Sequence, residues 1–283
     1  MTMPREILLI RHEESEANVV QKNIDGLATL ELTNLVNQRP DSLHPLTPRG
    51  IRRAKMLGGW IREHIGPLAE YDMHYVSPYV RTTETAAYIS GDEDVVWYDM
   101  RWIVERDWGD YGRATREEQQ EKYGRTFEHK KIDPVFATFD GGESNLDVMV
   151  RMRLAYDTLH RQHTNDRVVM VTHGGVMNVV INDLERLWVD EWRWREVNDK
   201  YDLPNGAIVR LSRVHPDDLE RGTKDAPEHP TIRWKQVIYP LDPENSPHGG
   251  EWVELSPRRG RTAAEMIQSV KNVERFLKNG ERL

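Results

Sequence analysis

ILLIRHEESEAN, residues 7–18, sets an uninterrupted apolar run against an arginine, a histidine and three carboxylates. Four apolar residues in a row, Ile7 to Ile10, read as a strand buried on both faces. Arg11 and His12 then fall at its carboxyl end. The same arrangement returns 161 positions later, where Val168 to Val171 (VVMV) run into Thr172, His173, Gly174 and Gly175. Met73 to Val76 (MHYV) form a third such run, and Val95 to Trp97 a shorter candidate.

Helical patterns follow the first three runs. Thr47-Pro48 reads as an N-cap with proline at the first helical position. Beyond it Ile51, Ala54, Leu57, Ile61 and Ile65 keep the 3.6-residue period. A second helix is expected after Glu143, with Glu143 and Ser144 in its first turn and Leu146, Val150 and Leu154 on its apolar side. Strands alternating with helices predict an α/β fold: three layers, αβα, around a mainly parallel sheet. Ligands of such sheets bind beyond the carboxyl ends of the strands, where His12 and His173 stand.

Two stretches break the rhythm. Residues 19–45 carry weak helical signal around Leu30 to Val36, and residues 107–142 are rich in charge and aromatics. Both leave the sheet beside key motifs and read as cap insertions. A catalytic domain is expected over 1–240, and a linker with a C-terminal helical appendage over 241–283. Pro243 to Gly250 is turn-rich. Thr262 to Glu265 is a capping box, followed by an apolar stripe of Met266, Val270, Val273 and Leu277. An amphipathic tail of this kind is compatible with a homodimer.

The composition narrows the function. With 47 acidic against 39 basic residues and a net charge of −8, a general nucleic-acid-binding surface is not expected. The chain has no cysteine, which excludes disulfides, thiolate metal sites and a cysteine nucleophile, and fits a cytoplasmic setting. The N-terminal apolar run is too short for a signal peptide, and nothing approaches the ~18 apolar residues of a membrane span.

A lone histidine at a strand end is more often a packed or solvated residue than a functional one. Two at matching strand ends, with Arg11 beside one and Arg81 opening a helix after the third strand, describe a pocket for a small dianion, phosphate above all. Gly174 and Gly175 would let backbone approach the ligand and present helix N-terminal amides. A zinc site is disfavoured by the adjacent arginine. No Walker or dinucleotide motif occurs, so no cofactor is implied.

Residues 10–18 (IRHEESEAN) resemble the RHG signature of the histidine phosphatase superfamily, the phosphoglycerate-mutase-like fold. The likeness continues through PLTPRG (45–50), SPYVRTTETA (77–86), ERDWGDYG (105–112), GGES (141–144) and VTHGG (171–175). It covers roughly residues 5–212, and its strength lies in six motifs in order. The resemblance implies that His12 is the nucleophile and becomes phosphorylated. It implies that Arg11, Asn18, Arg81 and His173 hold the phosphoryl group, beside the Gly174 amide, and that Glu105 is the general acid and base. The plainer use of Glu105 would be an ion pair with Arg101 or Arg106. No metal is required.

One position departs from the pattern: Glu13 stands where the family usually has glycine. A carboxylate aimed into the pocket would repel a dianion, so Glu13 is expected to turn away, towards an arginine such as Arg49, on a backbone that does not need positive φ. Glu14 matches a position where the family commonly has an acid.

The family contains hydrolases and mutases. The 107–142 segment holds Arg113, Arg116, Arg125, Lys130 and Lys131 but lacks the adjacent arginine pair and long proline-rich insertion associated with mutases, which favours the phosphatase branch. Trp108, Tyr111 and Tyr123 are candidates for an acceptor pocket, and Arg151 or Arg153 for bracing the site. The expectation is a metal-independent phosphomonoesterase acting on a small phosphorylated substrate. A phosphoglycerate-type mutase and a non-catalytic phosphate-recognition protein are the alternatives.

Overall fold

The computed structural model describes residues 2–114, 116–198, 203–221, 229–255, 260–271, 277–278 and 281–282. In chain order the elements are β1 (Glu6–Arg11), α1 (Glu16–Lys22), α2 (Leu30–Asn37), α3 (Pro48–His64), β2 (Met73–Val76), α4 (Val80–Ser90) and β3 (Tyr98–Asp99). There follow α5 (Arg116–Ile132), α6 (Asn145–Gln162), β4 (Arg167–Thr172), α7 (Gly174–Leu184), α8 (Val189–Asn198), β5 (Ile208–Ser212) and α9 (Pro216–Glu220). The chain closes with β6 (Trp234–Ile238), β7 (Trp252–Glu254), α10 (Ala263–Val270), β8 (Leu277–Lys278) and β9 (Glu281–Arg282).

The first seven strands form one sheet, ordered β3-β2-β4-β1-β5-β6-β7. It is parallel from β3 to β1 and antiparallel from β1 through β5 and β6 to β7. Helices cover both faces. Ile7 and Leu9 of β1 pack in a core with Val148 and Met152 of α6 and Val176 and Met177 of α7. Leu8 and Ile10 point the other way, into a core with Ala54, Leu57 and Ile61 of α3 and Ala86 and Ile89 of α4. This is the period-2 alternation of a strand covered on both sides.

Burial also demands that charges in the sheet be paired. Glu6, fully buried, accepts from Arg167 Nε and Arg210 Nε at 2.9 Å each. Burial pushes its pKa up, but the Arg210 and Arg167 guanidiniums outweigh this and hold it below the ordinary carboxylate range. The trio joins the beginning of β1 to both neighbouring strands.

Several expectations are corrected. Val95–Trp97 is not a strand; the short edge strand is Tyr98–Asp99. In α6, Val150 and Leu154 are 61% and 47% exposed, and the buried face is Val148, Met152, Ala155, Tyr156 and Leu159. Both sets fit an i, i+4 reading, and the one carrying Met152 and Tyr156 fills the core. Glu143 lies before that helix, which Ser144 caps through Asp147 in a reciprocal box.

Beyond residue 240 the chain first returns to the sheet, where β7 pairs with β6. The capping box at Thr262 and Glu265 is present, but the stripe does not dock: Met266 and Val270 are exposed. Arg261 ties this segment to α8 by ion pairs with Asp190 and Glu191. Leu277 falls in β8 rather than in the helix, and Val273 lies outside the described residues.

Candidate active site

Register places the two histidines. Arg11 of β1 stands opposite Thr172 of β4, so the next residue on each parallel strand, His12 and His173, emerges at the same edge. Their ring centroids lie 5.1 Å apart, edge to face. His173 is also the N-cap of α7, and Gly174 and Gly175 are that helix's first two residues.

Those glycines are cut to fit two functional candidates. A Cβ on Gly174 would sit 3.1 Å from the Arg11 guanidinium, and one on Gly175 would sit 2.5 Å from Glu105 Oε1. Arg11 and the Glu105 carboxylate therefore lie against the opening turn of α7. Arg81, the second residue of α4, completes the group: its charge and that of Arg11 act on both imidazoles.

His12 is 2% exposed. Its Nδ1 lies 2.7 Å from the Glu13 carbonyl oxygen. A carbonyl can only accept, so Nδ1 carries the proton of the neutral ring and Nε2 carries the lone pair. Burial, then Arg81 and Arg11, hold the His12 pKa well below its ordinary value. The same causes, with His12 and Arg151 added, keep His173 neutral as well. His173 Nε2 stands 2.8 Å from Ser77 Oγ. Its Nδ1 is buried and makes no hydrogen bond among the described residues, which leaves it for a ligand.

Asn18 sits in the first turn of α1, where it completes a reciprocal cap with Ser15. Asn205, which no motif singled out, donates from Nδ2 to His12 O at 3.0 Å and to Asn18 Oδ1 at 3.1 Å. It ties the backbone of the first histidine to the asparagine. Arg81 is not solvent-facing either: Asp41, from the 19–45 insertion, receives Nη1 on Oδ1 at 3.1 Å and Nη2 on Oδ2 at 3.0 Å. Tyr79 lies over both groups, its ring 4.9 Å from the Arg81 guanidinium and 5.1 Å from the His173 ring.

Glu13 does turn away from the phosphate-side groups, but it turns into the protein. Its partner is Arg53 Nε at 2.9 Å, not Arg49. Arg49 pairs instead with Glu14. A Cβ at Gly206 would strike Glu13 Oε1 at 2.2 Å, and Gly206 has φ +78, so a glycine elsewhere makes the room that a glycine at 13 would not need. Position 13 is not among the residues of positive φ, as expected.

In the second insertion, Tyr111 stacks on Phe139 at 4.1 Å, and Tyr123, Phe127 and Trp108 surround them. Tyr123 is buried in this cluster, whereas Trp108 keeps an exposed edge flanked by Arg106 and Lys130. Of the two arginines considered as braces, Arg151 reaches the Glu105 segment and Arg153 pairs with Asp183. Among the described residues no helix is long and apolar enough to cross a membrane.

Comparison with known proteins identifies the family. Residues 7–215 match the family described as Histidine phosphatase superfamily (branch 1). Phosphoserine phosphatase 1 of Hydrogenobacter thermophilus is 31% identical over 188 residues, covering 64% of this chain and 79% of that protein. A 2,3-bisphosphoglycerate-dependent phosphoglycerate mutase of Methylorubrum populi is 26% identical, covering 65% and 80%. The crystal structure of the α-ribazole phosphatase from Shigella flexneri superposes with a TM-score of 0.56 at 20% identity, over 79% of this chain and 94% of that one, a likeness of fold.

Proposed function

The chain belongs to the histidine phosphatase superfamily, and on that premise we propose that it hydrolyses phosphomonoesters through a covalent phosphohistidine on His12. The observation that carries this reading is the hydrogen bond from His12 Nδ1 to the Glu13 carbonyl: it leaves Nε2 unprotonated in a ring that burial, with Arg81 and Arg11, keeps neutral.

In the first step the Nε2 lone pair forms the bond to phosphorus as the ester oxygen leaves. Arg11, Arg81 and His173 offset charge on the equatorial oxygens, which is most of what a protein contributes to phosphoryl transfer. With Ser77 donating its hydroxyl proton to Nε2, His173 presents Nδ1–H to one of those oxygens. Glu105, protonated, gives its proton to the departing alkoxide. The positive charge that develops on the His12 ring is met by the Glu13 carbonyl. In the second step Glu105 takes a proton from water, the water oxygen attacks phosphorus, and the P–N bond breaks. Inorganic phosphate leaves and His12 is again neutral. No step in this scheme uses a metal, so EDTA treatment is expected to leave the rate unchanged.

The substrate proposed is a small phosphorylated metabolite, and the 31% identity to a phosphoserine phosphatase puts phosphoserine first in a panel with sugar phosphates and glycerates. The 26% identity to a phosphoglycerate mutase supports a second reading, phosphoryl transfer between 2- and 3-phosphoglycerate. Rapid quenching during turnover of labelled substrate decides the main point. An acid-labile, base-stable label on His12, absent from His12→Ala, is the expected result. Turnover without such a label, or interconversion of the phosphoglycerates without phosphate release, would overturn it.

A further inference from the structure

Glu105 lies on a stretch that no strand or long helix supports. A short 3₁₀ turn, Arg101–Ile103, ends just before it, and residues 104–108 are irregular. Carbonyls in such a stretch need partners from outside it when they are removed from water. Here four in a row find them. Arg151 Nη1 donates to Trp102 O at 2.5 Å, and Arg151 Nη2 to Val104 O at 2.8 Å and Glu105 O at 3.2 Å. Thr172 Oγ1, at the end of β4, donates to Ile103 O at 2.7 Å.

The guanidinium is itself fixed. Arg151 Nε donates to Glu143 Oε1 at 2.7 Å and Nη2 to Glu143 Oε2 at 3.1 Å. Glu143 then grips the far end of the same stretch: its Oε2 accepts from Asp107 N at 3.0 Å, and its own N–H donates to Asp107 O at 2.8 Å. Both residues are carried by α6 and the residue just ahead of its cap, so a rigid helix bears on the irregular stretch at 102, 104, 105 and 107. A planar fork with five donors suits this task in a way a lysine does not.

We propose that Arg151, oriented by Glu143, is the positioning residue that holds the Glu105 carboxyl where it can protonate the leaving oxygen. This rests on the reading of Glu105 as general acid. Neither residue touches the substrate in this account. Their effect is transmitted through the backbone at 104–107, and a displacement there of a fraction of an ångström is enough to slow proton transfer.

A leaving-group comparison tests it. The ratio kcat/KM reports steps up to the loss of the first product, so it isolates the protonation of the leaving oxygen. Phosphoserine leaves as an alkoxide that needs the proton; 2,4-dinitrophenyl phosphate leaves as a stable phenolate that does not. Glu105→Gln is the reference and is expected to lose activity mainly on phosphoserine. Arg151→Met is expected to show the same pattern: a loss of about tenfold to 100-fold on phosphoserine, within the range of general acid catalysis, and under about threefold on the dinitrophenyl ester. Inhibition by inorganic phosphate should not change.

Glu143→Gln, which leaves the carbonyl contacts of Arg151 in place, should give a smaller loss of the same selectivity, and it decides the matter if Arg151→Met does not fold. Equal losses on both esters, or no loss on either, would overturn the positioning role while leaving Glu105 in place. A Glu105→Gln variant that treats the two esters alike would instead remove the general-acid reading, and this inference with it.

Discussion

Asp41 closes both carboxylate oxygens onto Arg81, at 3.0 and 3.1 Å, and its backbone carbonyl accepts from the same guanidinium at 2.6 Å. A buried arginine needs an anion, and the 19–45 insertion supplies one from inside the chain. An incoming phosphate must then compete with a carboxylate for the same cation. Asp41→Asn is expected to lower the inhibition constant for inorganic phosphate by about two- to fivefold, the scale of a half-exposed ion pair. A weaker phosphate grip would instead make Asp41 an orienting partner of Arg81.

The acid limb of activity should lie low. Burial and the charges of Arg81 and Arg11 keep His12 neutral well below the ordinary imidazole value of 6.5. Corrected for the second ionisation of the substrate, near pH ~6, kcat/KM should not fall on acidification until the pH is below about 6.5. Arg11→Met, in whatever activity remains, should move the fall upwards.

The same shift has a sign for stability. An unfolded chain protonates its histidines below about pH 6.5, while the folded chain does not protonate His12 or His173 until lower pH. The folded state therefore loses stability as pH drops from that point. Thermal melting across this range should show a decline that His12→Asn makes shallower. A midpoint that rises on acidification would contradict the neutral buried pair.

Asn205 joins the backbone of His12 to the side chain of Asn18. Losing two hydrogen bonds of roughly 1 kcal/mol each should loosen the geometry of both. Asn205→Ala is expected to cut kcat/KM by about tenfold and to lower the melting temperature by a few degrees. An unaltered rate would mean that the two groups are held by their own elements.

Glu13 is a scaffold residue in this structure, paired with Arg53 beneath the Gly206 turn. Glu13→Gly installs the residue usual in the family. It should cost about 2 kcal/mol of stability, the scale of a lost hydrogen bond to a charged group, because Arg53 keeps contact with water, yet leave kcat/KM within about threefold. Denaturant midpoints and steady-state rates on one preparation check both halves. A large change in rate with no loss of stability would place the carboxylate in the pocket.

What the sequence made legible was whatever obeys a local rule. Apolar tetrapeptides marked β1, β2 and β4, a Thr-Pro pair marked the start of α3, and matching strand ends marked His12 and His173. The antiparallel half of the sheet was harder to see because its strands bury charge: Arg210 and Lys235 are inside, and only the fold shows that Glu6 and Glu185 receive them. On α6 two stripes share one period, and choosing between them needed the shape of the core. Asp41 and Asn205 carry no spacing that announces them, and Ser77, though it opens the SPYVRTTETA motif, has no role that the motif alone assigns. Their roles come from long-range contacts, which a linear pattern does not encode.

Glu6 and Arg167 face each other at one end of β1 and β4, Arg210 reaches Glu6 from the middle of β5, and the two imidazoles stand at the other end. A strand neither stretches nor compresses appreciably, at about 3.3 Å per residue, so the length from Glu6 to His12 works as a ruler whose zero is that carboxylate. Slide β1 by a single step against β4 and its side chains would change faces, parting Glu6 from both arginines and His12 from His173. Charge sunk in the floor of the molecule thus keeps the His12 ring level with that of His173 at the rim.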